Sequence, residues 1–396
     1  MKKIILSLLM CLAFGFSLSA QKASPQKAYN LFSDKDFVKA KEVIDLCLQD
    51  EKQTQKAQTW LYKANIYFYL ANQEYEAKRE NMAYYAMFPD ASEQAFDAFV
   101  KAKELSKNVE ATGMLSPNEG IAKTYALLLV YGVDELIAGN HETAERILRK
   151  AITSYELVKP PQFPLHGELY YYYAYTLEML GKIEEATTYY HKAIADGSTN
   201  VNVYLRLIES YKKEQDHAKI REILDAGKKA LPGNPALYVA EIDYYYFVEE
   251  KAAAHKLMEN IPTAVFENAD LLVNVANFYI LDLDYAKAYD LLKRANQMTP
   301  NNFVIFYNLG VCAYYLSEEN FQTANELEIQ GDKSNAMIYK TKSENYLLEA
   351  QNYFERVHQT EPQDINVMYT LRSIYARLQS PKYEEMDAKI KAAGGN

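Results

Sequence analysis

The chain has 396 residues, of which 49% are hydrophobic and 24% are charged, so it is a folded protein and neither disordered nor low-complexity. Its 43 Lys and Arg against 53 Asp and Glu give a net charge of −10, which argues against nucleic acid or anionic lipid as the main partner, because both require clustered positive charge. Only 14 Gly and 12 Pro argue against a turn-rich all-β fold, and 35 Tyr beside a single Trp is the unusual feature of the composition.

Residues 1–20 have the pattern of a secretory signal peptide. Two lysines precede an apolar run over residues 4–18, and Ser19 and Ala20 supply small residues for cleavage. The short Met-Lys-Lys start resembles bacterial signals, so we expect export to the periplasm of a Gram-negative bacterium. Cys11 lies in the middle of the apolar run and not at its end, so a lipid anchor is not expected. Cleavage changes the net charge from −10 to −12, and no later apolar stretch reaches the length of about 18 residues that a membrane span needs.

A spacing of 34 residues recurs in the middle of the chain. Four small or helix-packing residues follow it: Ala186, Ile220, Ala254 and Ala288. Around the last of them the sequence contains Leu272-x2-Val275-Ala276-x2-Tyr279, then Ala288-x3-Leu292 and Pro300. This pattern resembles the tetratricopeptide repeat, a helix–turn–helix unit of about 34 residues. The resemblance implies an all-α, right-handed superhelical solenoid of about nine repeats that covers nearly all of the mature chain.

The residue types fit stacked helical hairpins. Apolar residues recur three or four positions apart, which gives each helix one buried stripe. A small residue in each unit lets two helices approach to about 8–10 Å. Prolines then end the second helix of a unit, as at Pro232, Pro300 and Pro362.

Some intervals are longer than the repeat, and the largest excess lies near residues 317–344. This stretch is helical in composition, and Gly331-Asp332 is its expected turn. We therefore predict an inserted helical hairpin there, with shorter insertions among the N-terminal repeats.

A proline-rich connection covers residues 158–166. It divides N-terminal repeats with insertions, residues 21–157, from C-terminal repeats, residues 167–396. Prolines stiffen such a segment. It is either a hinge between the two sets or a longer loop between two repeats.

The sequence contains no recognisable catalytic or cofactor motif. Its six histidines form no His-Glu-x-x-His pair and no Cys/His cluster with metal-ligand spacing. Phosphate-binding glycine loops and Gly-x-Ser-x-Gly elbows are also missing. We therefore expect no enzyme activity, no cofactor and no metal. Cys47 and Cys312 are expected to be two free, buried thiols.

The resemblance to the repeat family also divides the tyrosines. It implies that positions 4, 7, 8 and 11 of each first helix pack internally, and that positions 2, 5, 6, 9, 12 and 13, the groove positions, line a concave groove. The expected core aromatics are Trp60, Tyr67, Tyr170, Tyr173, Tyr204, Tyr211, Tyr238, Tyr245, Tyr279 and Tyr375.

A smaller set of residues is left on the groove side. The candidate partner-binding residues are Asn65, Phe68, Tyr69, Tyr171, Tyr172, Tyr175, Tyr246, Asn274, Asn277, Tyr307, Asn308 and Tyr314. Phe247, Tyr315 and Tyr369 fall on the same side. In peptide-binding members of the family, asparagines at such positions hold an extended backbone, because an amide satisfies C=O and N–H alike. Alternatively, the aromatics only pack against neighbouring units.

The sequence thus predicts a non-enzymatic interaction scaffold of the bacterial cell envelope that binds a peptide or partner protein in its groove. One alternative is a carbohydrate- or nutrient-binding envelope protein, since stacked aromatics suit sugar faces. Another is a structural subunit of an outer-membrane secretion or assembly complex. The oligomeric state and the identity of the partner are not encoded in any motif.

Overall fold

The computed structural model describes residues 23–81, 86–158 and 166–395, and these are helical, with no strand among them. The chain divides into two compact units between Val203 and Tyr204, within a helix. The predicted signal peptide and most of the predicted proline-rich connection lie outside the described residues. Both therefore stay predictions.

The first unit consists of helical hairpins formed by helices consecutive in the chain. Its helices are α1 (Pro25–Ser33), α2 (Phe37–Cys47), the single turn α3 (Glu51–Thr54), α4 (Ala57–Glu80), α5 (Ala91–Leu105), α6 (Pro117–Ile137), α7 (His141–Val158), α8 (His166–Met179) and α9 (Ile183–Ala195). The pairs α1/α2, α4/α5, α6/α7 and α8/α9 are the four hairpins.

The second unit continues the same arrangement. Helix α10 (Val201–Glu214) crosses the division, and it is followed by α11 (His217–Ala230), α12 (Pro235–Phe247), α13 (Lys251–Glu259), the single turn α14 (Thr263–Phe266), α15 (Ala269–Leu281), α16 (Tyr285–Met298), α17 (Phe303–Ile329), α18 (Lys333–Thr360), α19 (Ile365–Arg377) and α20 (Lys382–Ala392). The pairs α10/α11, α12/α13, α15/α16, α17/α18 and α19/α20 bring the hairpins of the described residues to nine.

Four of the turns inside the described hairpins, those of α1/α2, α10/α11, α15/α16 and α17/α18, share one local structure. In these four a residue with positive φ follows the first helix, and an aspartate then caps the second. Gln215 has φ +56° before Asp216, which accepts a hydrogen bond from the backbone N–H of Lys219 at 3.0 Å. Leu283 has φ +62° before Asp284. An N-cap carboxylate of this kind stabilises a helix start by about 1 kcal/mol.

The 34-residue spacing marks the contact between paired helices. Ala186, Ile220, Ala254 and Ala288 are all at most 1% exposed, and they lie on α9, α11, α13 and α16. The predicted all-α helical-repeat fold is confirmed. The two predicted free thiols are also confirmed, since Cys47 and Cys312 are buried and unbonded. Burial raises the pKa of the Cys312 thiol to about 12.

The stretch predicted as an inserted hairpin near residues 317–344 is formed by the facing ends of α17 and α18, with its turn at Gly331-Asp332 as expected, but it is continuous with the repeat helices. Helices α17 and α18 simply continue, with 27 and 28 residues against 13 and 14 in α15 and α16. After Gly310, which lies within α17, no Gly or Pro occurs before Gly331, where φ is +83°, so nothing ends the helix earlier. Small residues let the two helices run close together, and Ser343 Oγ donates to the Ser317 carbonyl at 2.8 Å.

Several tyrosines join successive hairpins through their hydroxyl groups. The hydroxyl of Tyr67 on α4 donates to Asp45 on α2 at 2.7 Å. That of Tyr375 on α19 donates to Glu355 on α18 at 2.8 Å, and Lys382 contacts the same carboxylate at 2.8 Å. A third such bond, 2.9 Å long, joins Tyr173 to Glu145. Three of the expected core tyrosines, Tyr67, Tyr173 and Tyr375, therefore bond neighbouring hairpins as well as filling space, whereas Tyr238 and Tyr245 are only half-buried.

We expect Tyr375→Phe to lower the free energy of unfolding by about 1 kcal/mol, the usual net value of one hydrogen bond. The phenyl ring keeps the apolar contacts, but Glu355 loses a donor. Urea unfolding followed by circular dichroism measures the change. Tyr244→Phe is the matched control, because the buried Tyr244 hydroxyl has no hydrogen-bond partner among the described residues. Equal losses in both variants would contradict the proposed role of the bond.

Candidate functional site

A pocket of about 460 Å³ opens between α17 and α19 in the second unit. We count Phe303 as position 1 of α17 and Ile365 as position 1 of α19. On this count the lining includes the groove positions 5, 9, 12 and 13 of α17 and the groove positions 5, 6 and 9 of α19. The lining residues are Tyr307, Val311, Tyr314, Tyr315, Phe354, Tyr369, Thr370 and Ser373. Four tyrosines and a phenylalanine therefore surround one cavity, and Thr370 and Ser373 add hydroxyl groups.

Phe354, on α18, belongs to the buried part of this lining. Its ring is 2% exposed and lies edge-on to Tyr307, with the ring centroids 5.9 Å apart. Gly310 makes this position possible, because a Cβ there would lie 2.9 Å from the Phe354 ring. Phe354 is held in a fixed orientation, while Tyr307 remains 36% exposed.

Charged groups lie beside the tyrosine rings. The Arg377 guanidinium is 5.7 Å from the centre of the Tyr314 ring, and it also contacts Glu318. Arg372 is 5.1 Å from the Tyr369 ring and pairs with Asp387 at 2.8 Å. Because both arginines are paired with carboxylates, the pocket presents apolar ring surface more than net charge.

Three of the candidate asparagines lie on α15 and α17. Asn308 Nδ2 donates to Asn277 Oδ1 at 2.8 Å and so connects the two first helices. Asn274 is exposed, and its Nδ2 donates to the Asp270 carbonyl at 2.8 Å within its own helix. Asn308 follows Tyr307 directly, so α17 carries an amide towards α15 and an aromatic pocket towards α19.

The candidates on α4 are engaged within the chain. Asn65 is completely buried and bonded to backbone groups, and Phe68 is 9% exposed. Tyr69 stacks on Phe37 with the ring centroids 5.4 Å apart, and it lies edge-on to Phe32 at 5.3 Å. The groove positions of α4 therefore face the chain's own residues and offer little open surface.

Tyr171, Tyr172 and Tyr175 form a half-buried group of rings on α8. Tyr171 and Tyr175 are parallel, with the ring centroids 6.3 Å apart, and Tyr172 lies 5.3 Å from Tyr171. Tyr190, on α9, approaches Tyr171 at 6.2 Å. The structure therefore brings these three candidates together on one helix face.

Tyr246 packs between two hairpins of the second unit. Its ring stacks on Phe278 at 4.8 Å, and its hydroxyl donates to Asp282. Asp282 also contacts Lys251 Nζ at 2.8 Å and His255 Nε2 at 2.7 Å. Burial alone would raise the pKa of Asp282, but the hydrogen bonds from Lys251, Tyr246 and His255 outweigh it and lower the pKa to about 2.

Sequence reasoning missed four residues of the pocket lining: Val311, Phe354, Thr370 and Ser373. Phe354 is on a second helix, which the groove register does not consider. Gly310 was the available signal, because a glycine in a buried helix face leaves space for a large ring opposite. Within the described residues, no group of three His, Cys, Asp or Glu side chains is placed to hold a metal ion. The described helices also include none with the length and apolarity of a membrane span.

No protein-family model matches the chain, and no curated protein matches it. Solved structures do match the chain. Yeast Tom70 is 14% identical over 94% of this chain and 85% of its own, with a TM-score of 0.44. A tetratricopeptide repeat protein from Parabacteroides merdae is 17% identical over 72% of this chain and 96% of its own, with a TM-score of 0.33. The human IFIT1 dimer with m7Gppp-AAAA is 17% identical over 83% and 68%, with a TM-score of 0.37.

These likenesses are all weak, because every TM-score is below 0.5 and every identity is below 25%.

Proposed function

We propose that this chain is a non-enzymatic scaffold of the bacterial cell envelope that binds an extended peptide of a partner protein along α15, α17 and α19. The observation that carries the proposal is the open aromatic pocket around Tyr307, Tyr314 and Tyr369, next to the Asn277–Asn308 amide pair. Aromatic pockets beside backbone-binding amides are suited to peptides, because they combine apolar burial with sequence-independent hydrogen bonds.

The amides and the pocket have different tasks in this proposal. The hydrogen bond between Asn308 Nδ2 and Asn277 Oδ1 uses one half of each side-chain amide. The side-chain oxygen of Asn308 and the side-chain NH2 group of Asn277 are left to bind a ligand backbone. An apolar or aromatic side chain of the ligand enters the pocket and contacts Phe354 at its base. Such rigid rings lose little conformational entropy on binding.

Peptides selected from a random displayed library against the full chain test this proposal. For a selected peptide, we expect Tyr307→Ala and Tyr369→Ala each to weaken binding about thirtyfold, because truncating a central aromatic costs about 2 kcal/mol. We expect a smaller loss for Asn308→Ala. Isothermal titration measures the dissociation constants.

Tyr339→Ala is the control for this experiment. Tyr339 lies on α18, is half-exposed like several pocket tyrosines, and does not line the pocket. Its replacement should leave the dissociation constant unchanged. If the selected peptides bind equally to the wild type and to folded Tyr307→Ala and Tyr369→Ala variants, the pocket is not the binding site.

The envelope location rests on residues 1–20. The positively charged start, the apolar run and Ser19-Ala20 support export with cleavage before Gln21. Mass spectrometry of the protein from a periplasmic fraction should find a mature N-terminus at Gln21. An uncleaved chain in the cytoplasmic fraction would contradict the proposal.

Carbohydrate binding is the second candidate. It is favoured by the hydroxyl groups of Thr370 and Ser373 beside the tyrosine rings, because sugars combine apolar faces with hydroxyl groups. A glycan array separates the two. Oligosaccharide binding that is lost in Tyr369→Ala, without selection of any peptide, would favour this candidate.

A further inference from the structure

The connection between α5 and α6, residues 106–116, crosses the groove positions of α4 in the first unit. Asn65 at groove position 9 holds the backbone of Leu115 on both sides. Leu115 N–H donates to Asn65 Oδ1 at 2.7 Å, and Asn65 Nδ2 donates to the Leu115 carbonyl at 3.1 Å. Tyr29 on α1 adds a third bond, from its hydroxyl to the Thr112 carbonyl at 3.0 Å.

This recognition is independent of the side chains that the segment carries. All three bonds go to backbone atoms, and no residue of the segment 106–116 is buried. The amide pairs with the N–H and the C=O of one residue, which is how a neighbouring β-strand would hold it. The segment therefore has the contacts of a bound peptide.

The start of α6 is stabilised separately from these contacts. Ser116 and Glu119 form a capping box, in which the Glu119 carboxylate accepts from the Ser116 backbone N–H at 3.0 Å. Helix α6 can therefore keep its first turn when Leu115 leaves Asn65. Asn65 itself is completely buried, so its amide needs a backbone partner whether that partner is in the same chain or not.

We infer that the surface formed by Tyr29, Tyr62 and Asn65 is a second peptide-binding site, occupied by residues 107–115 as an internal ligand. Tyr62 borders it, with its ring 5.3 Å from that of Tyr29. The ligand class is an extended peptide backbone with little demand on sequence. The site is distinct from the pocket between α17 and α19, and it becomes open to a partner strand only when the internal segment is released.

A synthetic peptide of residues 107–116 with a fluorescent label tests this inference on the full chain. The tethered segment competes at an effective concentration on the order of millimolar, so wild type should show almost no binding. Leu115→Pro removes the N–H that Asn65 accepts and leaves α4 unchanged. We expect this variant to bind the labelled peptide at least about tenfold more tightly than wild type.

Two further variants make the result specific. Adding Asn65→Leu to Leu115→Pro should abolish the tighter binding of the labelled peptide. Adding Tyr307→Ala to Leu115→Pro should leave that binding unchanged, which separates this site from the pocket between α17 and α19. A folded Leu115→Pro variant that binds no better than wild type would overturn the inference.

Hydrogen exchange of the wild type gives a second test, which does not depend on how the variants fold. The Leu115 amide should exchange much faster than the amides in the middle of α4, because releasing the segment requires no helix to unfold. Equal protection of Leu115 and α4 would show that the segment is a permanent part of the fold, and this would overturn the inference.

Discussion

Gly120→Ala is expected to lower the free energy of unfolding by about 2 kcal/mol, although alanine is the better helix former by about 1 kcal/mol. A Cβ at position 120 would lie 2.2 Å from the ring of Phe99, which is fully buried. Gly120 is on α6 and Phe99 is on α5, so the change forces two successive hairpins apart. Urea unfolding at equilibrium measures the loss.

A double-mutant cycle identifies the cause of this loss. Phe99→Leu alone removes ring atoms and should destabilise, but combined with Gly120→Ala it should recover part of the loss, because the smaller side chain leaves room for the new methyl group. Phe99→Ala alone is expected to cost about 3–5 kcal/mol. If Phe99→Leu and Gly120→Ala are strictly additive, the steric explanation is wrong.

Asp282→Ala should be at least as damaging as Gly120→Ala, with a loss of about 2–3 kcal/mol. The Asp282 side chain is 12% exposed and accepts from Tyr246, Lys251 and His255. Its removal leaves the Tyr246 hydroxyl and the two basic groups without their common acceptor. Asp225→Ala is the control, because its side chain is 80% exposed, and it should cost little.

The contribution of Asp282 should also depend on pH. Its pKa is lowered from 3.8 to about 2 in the folded protein, which corresponds to about 2 kcal/mol. A carboxylate whose pKa is lowered by folding contributes all of its stabilisation when the pH is above its pKa in the unfolded protein. This stabilisation is lost as the pH falls through its pKa in the folded protein. The difference in unfolding free energy between wild type and Asp282→Asn should therefore shrink from about pH 4 to about pH 2. A constant difference over this range would contradict the assignment.

The fold could be predicted because its packing is local and periodic. The spacing of Ala186, Ile220, Ala254 and Ala288 follows from the requirement for close helix contact in every hairpin. The length of α17 and α18 was harder to predict. A repeat pattern marks where helices pack, but only the lack of Gly and Pro between Gly310 and Gly331, and within α18, shows that they continue.

The candidate site was predictable in part. Helical periodicity places Tyr307, Tyr314 and Tyr369 on the face that lines the pocket. It could not show that Asn65 and Phe68 are buried, because the register of a helix determines which side a residue faces but not what covers that side. The segment 106–116, whose Leu115 bonds to Asn65, is irregular, and irregular segments carry no periodic signal.

The nine hairpins have a consequence for how the chain folds. Each hairpin of the described residues joins helices that are adjacent in sequence, and all except α4/α5 do so through a short connection, so most of the described structure requires little loop closure. Chains of this kind fold quickly, and folding can start in any hairpin and spread to its neighbours. The first hairpins of the chain can therefore begin to fold before the C-terminal helices are available.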